Sequence, residues 1–479
     1  MFVGRDREID VLEGAYTSRK SELIVVYGRR RIGKSSLVAR FAEDKPVALR
    51  FEGLEGEHTD AQIRHFAATL SKQTEDPLLR SVAFRNWEDV LSYLTERIIK
   101  THTRQEKLIL FFDELPWMAA GRGRLVSLLK YYWDNHWKDR PVMLILCGSV
   151  ASFMVKKVLR SKALYGRITL EILLGGLAPR EAVALLRNRR SAEEVFKYFL
   201  VFGGVPKYLE EIRLNRSFAA NINRLCFSEN SPLIREVERI FYNQFRESRT
   251  YQRIVELLRD RMLTLRELSD RMGMPSGGGL KLYISNLEQA EIIRSFVPFG
   301  KGPRAKLRKY ALSDEYLHFY FKFVEPNRTT IAQSPSPGLF ERLTARSFDT
   351  WLGFAFERFC VKHAARLAGI MGFQDEVLVA APYFERGDMA FQIDLLYQRA
   401  DGVITVCEAK YHHRPISTKV IPEMERKCSV LPVPRGYTRE KALVSLHGPD
   451  DALRDTGYFD HYVTLSDIMG TPVNGTRRR

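Results

Sequence analysis

No run in the 479-residue sequence comes near the ~20 consecutive apolar residues that a bilayer-spanning helix needs. The strongest runs, Leu23–Tyr27, Leu108–Phe112 and Val142–Cys147, are only five or six residues long, the size of buried strands. The opening MFVGRDREID has no apolar core of the kind a secretory signal carries, so a cytoplasmic location and no membrane partner are expected. Cysteine is scarce and scattered. Cys147, Cys226, Cys360, Cys407 and Cys428 include no C-x-x-C pair, which argues against a disulfide framework or a cysteine zinc site and predicts core thiols. Acid is in deficit: 58 Asp and Glu face 75 Lys and Arg, a net charge of +17. Such a surplus favours polyanionic partners, because each phosphate contact releases condensed counterions, although a merely basic surface gives the same count.

At 45 % hydrophobic and 28 % charged residues the composition is globular, and the length calls for about three domains at ~100–200 residues each. The first third alternates strand-like runs (Leu23–Tyr27, Val47–Glu52, Lys107–Phe112, Val142–Cys147, Ile168–Leu173) with helical stretches, the pattern of a parallel sheet covered by helices. A helical stretch follows to about Phe245. Then come an amphipathic helix at Tyr251–Arg259, a capping box at Thr264-Leu-Arg-Glu267, a turn at Pro275–Gly279 and a helix over Leu280–Ala290. Two β-prone runs, Ile292–Val297 and Lys306–Leu312, complete what reads as a winged helix-turn-helix. Glu325–Gly338, rich in Pro, Ser and Thr, reads as a linker, and Thr471–Arg479 as a polar tail. The expected fold class is α/β and multidomain: a parallel sheet over 1–175, a helical lid over 176–245, the winged helix-turn-helix over 246–325, and a C-terminal α/β domain over 335–470.

Gly28-Arg-Arg-Arg-Ile-Gly33-Lys34-Ser35 matches G-x-x-x-x-G-K-[ST] between an apolar strand and a helix. The glycines let main-chain amides wrap phosphates, and the helix N-terminus, where Ser36 also sits, favours their charge. Lys34 is the candidate for the β/γ-phosphates of ATP and the Ser35 hydroxyl for Mg²⁺. Leu108–Phe112 runs into Asp113 and Glu114; Asp113 is the candidate for the metal shell and Glu114 for orienting the attacking water. Arg29, Arg30 and Arg31 occupy variable loop positions and read as facing solvent or a partner. A third strand ends in Cys147-Gly-Ser149.

FVGRDREI, YGRRRIGKSSL, LFFDELPWM, LCGS, LYGR (164–167) and GGVPKYL (203–209) together resemble the archaeal-type ATPase family, of the STAND and AAA-like branch of P-loop proteins, over roughly residues 1–325. The resemblance implies that Ser149 senses the γ-phosphate and that Gly4 and Arg5 lie near the adenine. It also makes Arg167 a candidate finger acting in trans, with a carboxylate pair as the competing reading and a homo-oligomer as its requirement.

The Gly300–Lys309 segment carries Lys301, Arg304, Lys306, Arg308 and Lys309, a cation density suited to DNA phosphates, while a solvated wing is the plainer reading. The aromatic stretch Tyr310–Phe323 reads as core. Further on, Trp351–Glu357 is a helix with one acid, and Phe391–Tyr397 and Val403–Lys410 are strands joined by a tight turn at Ala400–Gly402. Alternation places Glu408 and Lys410 on one strand face, and the hairpin can gather Asp394 with them. Buried carboxylates repel unless a cation intervenes, so Asp394 and Glu408 are candidate ligands for Mg²⁺ or Mn²⁺, with Glu357 and Lys410 in support. D…ExK after a helical Glu resembles the PD-(D/E)xK nuclease superfamily, and 335–470 resembles the domain of unknown function (the DUF234 group) commonly fused to these ATPases; the leading Pro is replaced by Ile393. A folded, inactive copy with a Glu408–Lys410 ion pair is the competing reading. His412 and His413 are within reach of such a metal but read as a solvated loop, and Lys427 reads as a surface lysine, with a phosphate contact as the alternative.

Overall fold

The computed structural model describes residues 2–80, 82–102, 106–121, 124–149, 153–161, 164–186, 189–245, 248–300, 305–333, 338–385 and 391–470. They form two compact units, Met1–Leu177 and a second from Ala178 onward.

The first unit is built on β1 (Glu22–Tyr27), β2 (Ala48–Glu52), β3 (Leu108–Asp113), β4 (Val142–Gly148) and β5 (Leu170–Leu173). Every neighbouring pair is parallel, in the order β2-β3-β4-β1-β5. Helices α1 (Asp6–Thr17), α2 (Lys34–Ala42) and α3 (Thr59–Gln73) are among those that accompany it. β3 and β4 are buried at every position, which is why their sequences are continuous apolar runs instead of alternating ones. Phe51 of β2 stacks on Phe66 of α3 with centroids 3.7 Å apart, inside a core that also holds Phe112, Trp87 and Trp137. Parallel strands end on the same edge. The chain therefore leaves β1 at Gly28, β3 at Glu114 and β4 at Ser149 side by side, with β4 between the other two.

In the second unit, helices Ser248–Leu258, Leu265–Met272 and Gly278–Gln289 accompany a small antiparallel sheet, β6 (Leu263–Thr264), β7 (Ile293–Phe296) and β8 (Lys309–Leu312), ordered β6-β8-β7. The capping box at Thr264 is present: Thr264 Oγ1 accepts from Glu267 N, and Thr264 N donates to Glu267 Oε2 at 2.7 Å. A separate five-stranded sheet follows, made of β9 (Val377–Glu385), β10 (Phe391–Arg399), β11 (Val403–Lys410), β12 (Thr438–Ser445) and β13 (His461–Val463). It is antiparallel from β9 to β11 and parallel from β11 to β13. Helix Phe348–Lys362 joins this sheet to helix Ala192–Phe202 through Phe196 and Phe359, centroids 4.9 Å apart. The aromatic stretch is core as expected, with Tyr316, Phe319 and Phe323 almost fully buried.

The expected linker is a correction. Glu325–Asn327 forms a 3-10 turn and Arg328–Gln333 a helix whose Ile331 is buried, and Arg328 Nη1 donates to the Ile234 carbonyl at 2.9 Å. Pro326 does not prevent this, since a proline costs no hydrogen bond in the first turn of a helix. Residues 334–337, Lys301, Arg304 and the tail 471–479 lie outside the described residues. All five cysteines are buried and free. Among the described residues no helix is long and apolar enough to cross a membrane.

Candidate functional site

The loop after β1 is shaped by its glycines. A Cβ on Gly28 would collide with the Leu174 carbonyl oxygen, and Gly33 opens α2 at φ 92°, a left-handed conformation that favours glycine. Lys34 is buried, and its Nζ donates to the carbonyls of Gly28 (3.2 Å) and Arg29 (3.0 Å), so the ammonium is held inside its own loop. Ser35 and Ser36 follow in the first turn of α2, partly buried and exposed respectively. Arg29 corrects the solvent-facing expectation: it is 7 % exposed. Arg30 reaches Glu55 at 3.3 Å and lies over the Trp117 ring at 5.8 Å. Arg5, also buried, donates from Nη2 to the carbonyls of Gly175 (2.6 Å) and Ile32 (3.3 Å), which ties the N-terminal segment to the loop.

The acidic pair meets this loop across β4. Burial above all pushes the Cys147 thiol well up; Asp113 and Glu114 push it further, and Lys34 pulls against them, so the three charged side chains bear on one buried sulfur. Asp113 is 1 % exposed. A carboxylate buried to that degree costs several kcal/mol unless it is paired, and its partners are Arg50 Nη2 at 2.8 Å on Oδ2 and Glu114 N at 3.1 Å on Oδ1. Glu114 takes a left-handed backbone, φ 50°, and its Oε2 accepts from both Ser149 N (3.1 Å) and Ser149 Oγ (2.8 Å). Ser149 thus orients Glu114 in this arrangement. Arg167 forms a bidentate pair with Asp134, at 2.5 and 2.8 Å, which is the competing reading of that residue.

The second constellation lies in the C-terminal sheet. β10 and β11 pair with Leu395 opposite Cys407, so Asp394 and Glu408 fall at the next position along. The pairing of β10 with β9 slips between Ile393 and Leu396, a bulge at Asp394 of the kind that re-aims side chains. Asp394 is 6 % exposed, with Oδ2 accepting from Ala409 N at 2.9 Å. Burial first, then Glu408 and Glu357, push its carboxyl up to about 7. Burial also raises Glu357, and Gln392 Nε2 bridges Glu357 Oε2 (3.2 Å) to Asp394 Oδ1 (3.3 Å). Glu408 is held by Lys410 at 2.6 Å and by Lys427, whose Nζ donates to both oxygens at 3.1 and 2.8 Å. Lys427 is therefore a correction: at 5 % exposure it is part of the cluster and not a surface group. The donors on Asp394 are the neutral Ala409 amide and the Gln392 side chain, which leave it less compensated than the lysine-paired Glu408. Among the described residues no three acid, histidine or cysteine side chains stand grouped to hold a metal. His413 turns away to Glu193, at 2.7 Å, and His412 is exposed.

Arg50, Gln392 and Lys427 were not singled out by sequence as members of either cluster. Gln392 had a signal, two residues before Asp394 and so on its face of the strand. Arg50 becomes meaningful only once β2 is known to pair with β3, with Glu52 opposite Asp113.

A glycine loop between a parallel strand and a helix, a buried lysine, and an acidic pair reached across one intervening strand define a P-loop ATPase domain. Residues 2–212 match a family described as an ATPase domain predominantly from Archaea, and residues 320–421 match a family of archaeal and bacterial proteins of unknown function. The two matches stand in tandem on this chain, an ATPase-type domain followed by the second domain on its C-terminal side. An uncharacterized protein of Methanocaldococcus jannaschii is 28 % identical over 398 residues, 83 % of this chain and 84 % of that one. An uncharacterized ATP-binding protein of the same organism is 45 % identical over 47 residues, 10 % of this chain and 80 % of that one. Among solved structures, a Walker-type ATPase of Pyrococcus abyssi aligns with a TM-score of 0.47 at 19 % identity, covering 67 % of this chain and 96 % of that one. The ORC2 protein of Aeropyrum pernix, in ADPNP and ADP complexes, aligns with a TM-score of 0.41 at 14 % identity, covering 68 % and 96 %.

Proposed function

We propose that the chain is an ATP-hydrolysing protein acting on DNA, in which a nucleotide cycle in the first unit governs a winged helix-turn-helix and a metal-dependent nuclease-like domain in the second. The observation that carries the ATPase part is the strand order, which ends β1 at the glycine loop and β3 at Asp113 and Glu114 on one edge of the sheet with only β4 between them. In this reading Gly28, Gly33, Lys34, Ser35 and Ser36 cradle the triphosphate. Ser35 and Asp113 hold its Mg²⁺, which screens the developing phosphate charge, and Glu114 orients the attacking water while Ser149 holds Glu114 in place. The helix Gly278–Gln289, with Lys281 and Leu282 exposed near its start, is the proposed reader of the major groove, and Lys306 and Arg308 beside β8 are exposed to meet phosphates. In the C-terminal sheet Asp394 and Glu408 hold Mg²⁺ or Mn²⁺, which supplies an activated water; Lys410 stabilises charge and Glu357 orients the cluster.

The experiment is relaxation and nicking of supercoiled plasmid with Mn²⁺, with and without ATP. Asp394→Ala abolishes cleavage and leaves phosphate release unchanged; cleavage that persists in that variant contradicts the assignment. A second reading, a regulatory ATPase whose C-terminal domain binds nucleic acid or protein without cutting, is favoured by one observation. Both oxygens of Glu408 are already taken by Lys427, with Lys410 on one of them. An intact plasmid under all metal and ATP conditions selects this second reading.

A further inference from the structure

Lys34, Glu114 and Asp113 are each paired inside the protein. Lys34 rests on loop carbonyls and Glu114 on Ser149. The third pair differs from these two, because its partner is a full charge from another strand. Arg50 Nη2 sits 2.8 Å from Asp113 Oδ2, while Asp113 Oδ1 is taken by the Glu114 amide. The main chain at Arg50 is fixed: its N–H donates to Gln73 Oε1 and its carbonyl accepts from Gln73 Nε2, both at 2.8 Å. Its side chain is not fixed in the same way. It is 43 % exposed, lies over the Phe111 ring at 5.6 Å, and already has a second carboxylate, the 56 % exposed Glu52, at 3.6 Å. Arg50 and Glu52 alternate with one residue between them on β2, so both side chains share the face on which Asp113 ends β3.

We propose that Arg50 is a displaceable counter-ion of Asp113, holding the carboxylate while the site is empty and passing to Glu52 when a divalent cation enters with the triphosphate. The inference rests on the nucleotide-site reading above. A buried carboxylate stays ionised only while charges or hydrogen bonds compensate it, and a cation is the strongest such partner. A guanidinium and a divalent ion on the same carboxylate repel each other, so the second to arrive displaces the first. The neighbouring Glu52 keeps the departing guanidinium paired, which makes the exchange local and leaves the Gln73 clamp undisturbed. On this account Arg50 sets how much magnesium the site requires, and it makes no contribution to metal-free nucleotide binding.

The test is equilibrium binding of a fluorescent ATP analogue to the full chain, in EDTA and across a magnesium series. Arg50→Gln is expected to lower the half-saturating magnesium by about three- to tenfold, the scale of one half-exposed charge-assisted hydrogen bond, and to leave binding in EDTA unchanged. Glu52→Gln, an exposed substitution that does not threaten folding, is expected to raise the half-saturating magnesium because Arg50 loses its second partner. An unchanged or raised magnesium requirement in Arg50→Gln overturns the proposal, as does an unchanged requirement in Glu52→Gln. Should Arg50→Gln fail to fold, the Glu52→Gln result decides alone. Failure of the underlying site reading looks different: Lys34→Ala would then bind the analogue as the wild type does.

Discussion

Ser149 spends both of its donors on one oxygen of Glu114, and that economy has a measurable consequence. Ser149→Ala removes the hydroxyl and keeps the amide, so Glu114 stays near its place but is held less firmly. One hydrogen bond to a charged group is worth about 1.5–3 kcal/mol. The expected effect is therefore at least a tenfold fall in kcat with KM little changed, read by phosphate release. An unchanged kcat would show that Glu114 does not depend on this serine. At the same scale, Gly28→Ala places a methyl against the Leu174 carbonyl and is expected to abolish nucleotide binding; wild-type binding in that variant would contradict the close approach. Lys34, Ser35, Asp113 and Glu114 were legible from sequence because spacing along the chain is enough to mark them. Arg50 and Lys427 were not legible, because each pairs with a residue on another element and only the folded sheet brings them together.

β1, β3 and β4 were legible almost residue for residue, since central parallel strands covered on both sides demand uninterrupted apolar runs, whereas β2 alternates buried and exposed residues. The helix Arg328–Gln333 was missed because its composition is that of a linker and its order comes from tertiary contacts, Ile331 in the core and Arg328 on Ile234. Helix Phe348–Lys362 ends at His363, whose ring packs against Phe359 (4.4 Å) and Phe199 (5.9 Å). Burial, with Lys362, Arg366 and Arg294 adding to it, pushes His363 down to about 3. His318 is pushed well below the ordinary imidazole range by burial and Arg358, with Lys362 and Arg294 adding to it and its bond to the Leu312 carbonyl opposing. Both imidazoles are neutral in the fold and protonate near 6.5 in the unfolded chain. A depressed folded pKa gives stability that is complete above about pH 6.5 and is lost as the pH falls toward about 3. The melting temperature is therefore expected to drop from about pH 7 to pH 5, with a shallower slope in His363→Gln. An equal or steeper slope in that variant would contradict this origin.

At the scale of the whole molecule the charge of +17 bears on partners and not on fold. If DNA is the partner, the logarithm of the binding constant falls linearly with the logarithm of salt concentration, and a flat dependence in a gel-shift series would exclude phosphate contacts as its basis. The two matches, an ATPase-type domain and a second domain of unknown function, were legible in short motifs. The helices after Ala178 share a compact unit with the C-terminal sheet through aromatic contacts such as Phe196 on Phe359, which join elements far apart in sequence. The coupling proposed between the units presupposes a working nucleotide site in the first. The most direct measurement is nucleotide binding and phosphate release on one preparation each of wild type, Lys34→Ala and Glu114→Gln. The account predicts binding and turnover in the wild type and neither in Lys34→Ala. Glu114→Gln should bind with wild-type affinity and turn over at least about a hundredfold more slowly. Wild-type turnover in Glu114→Gln, or wild-type binding in Lys34→Ala, would contradict it.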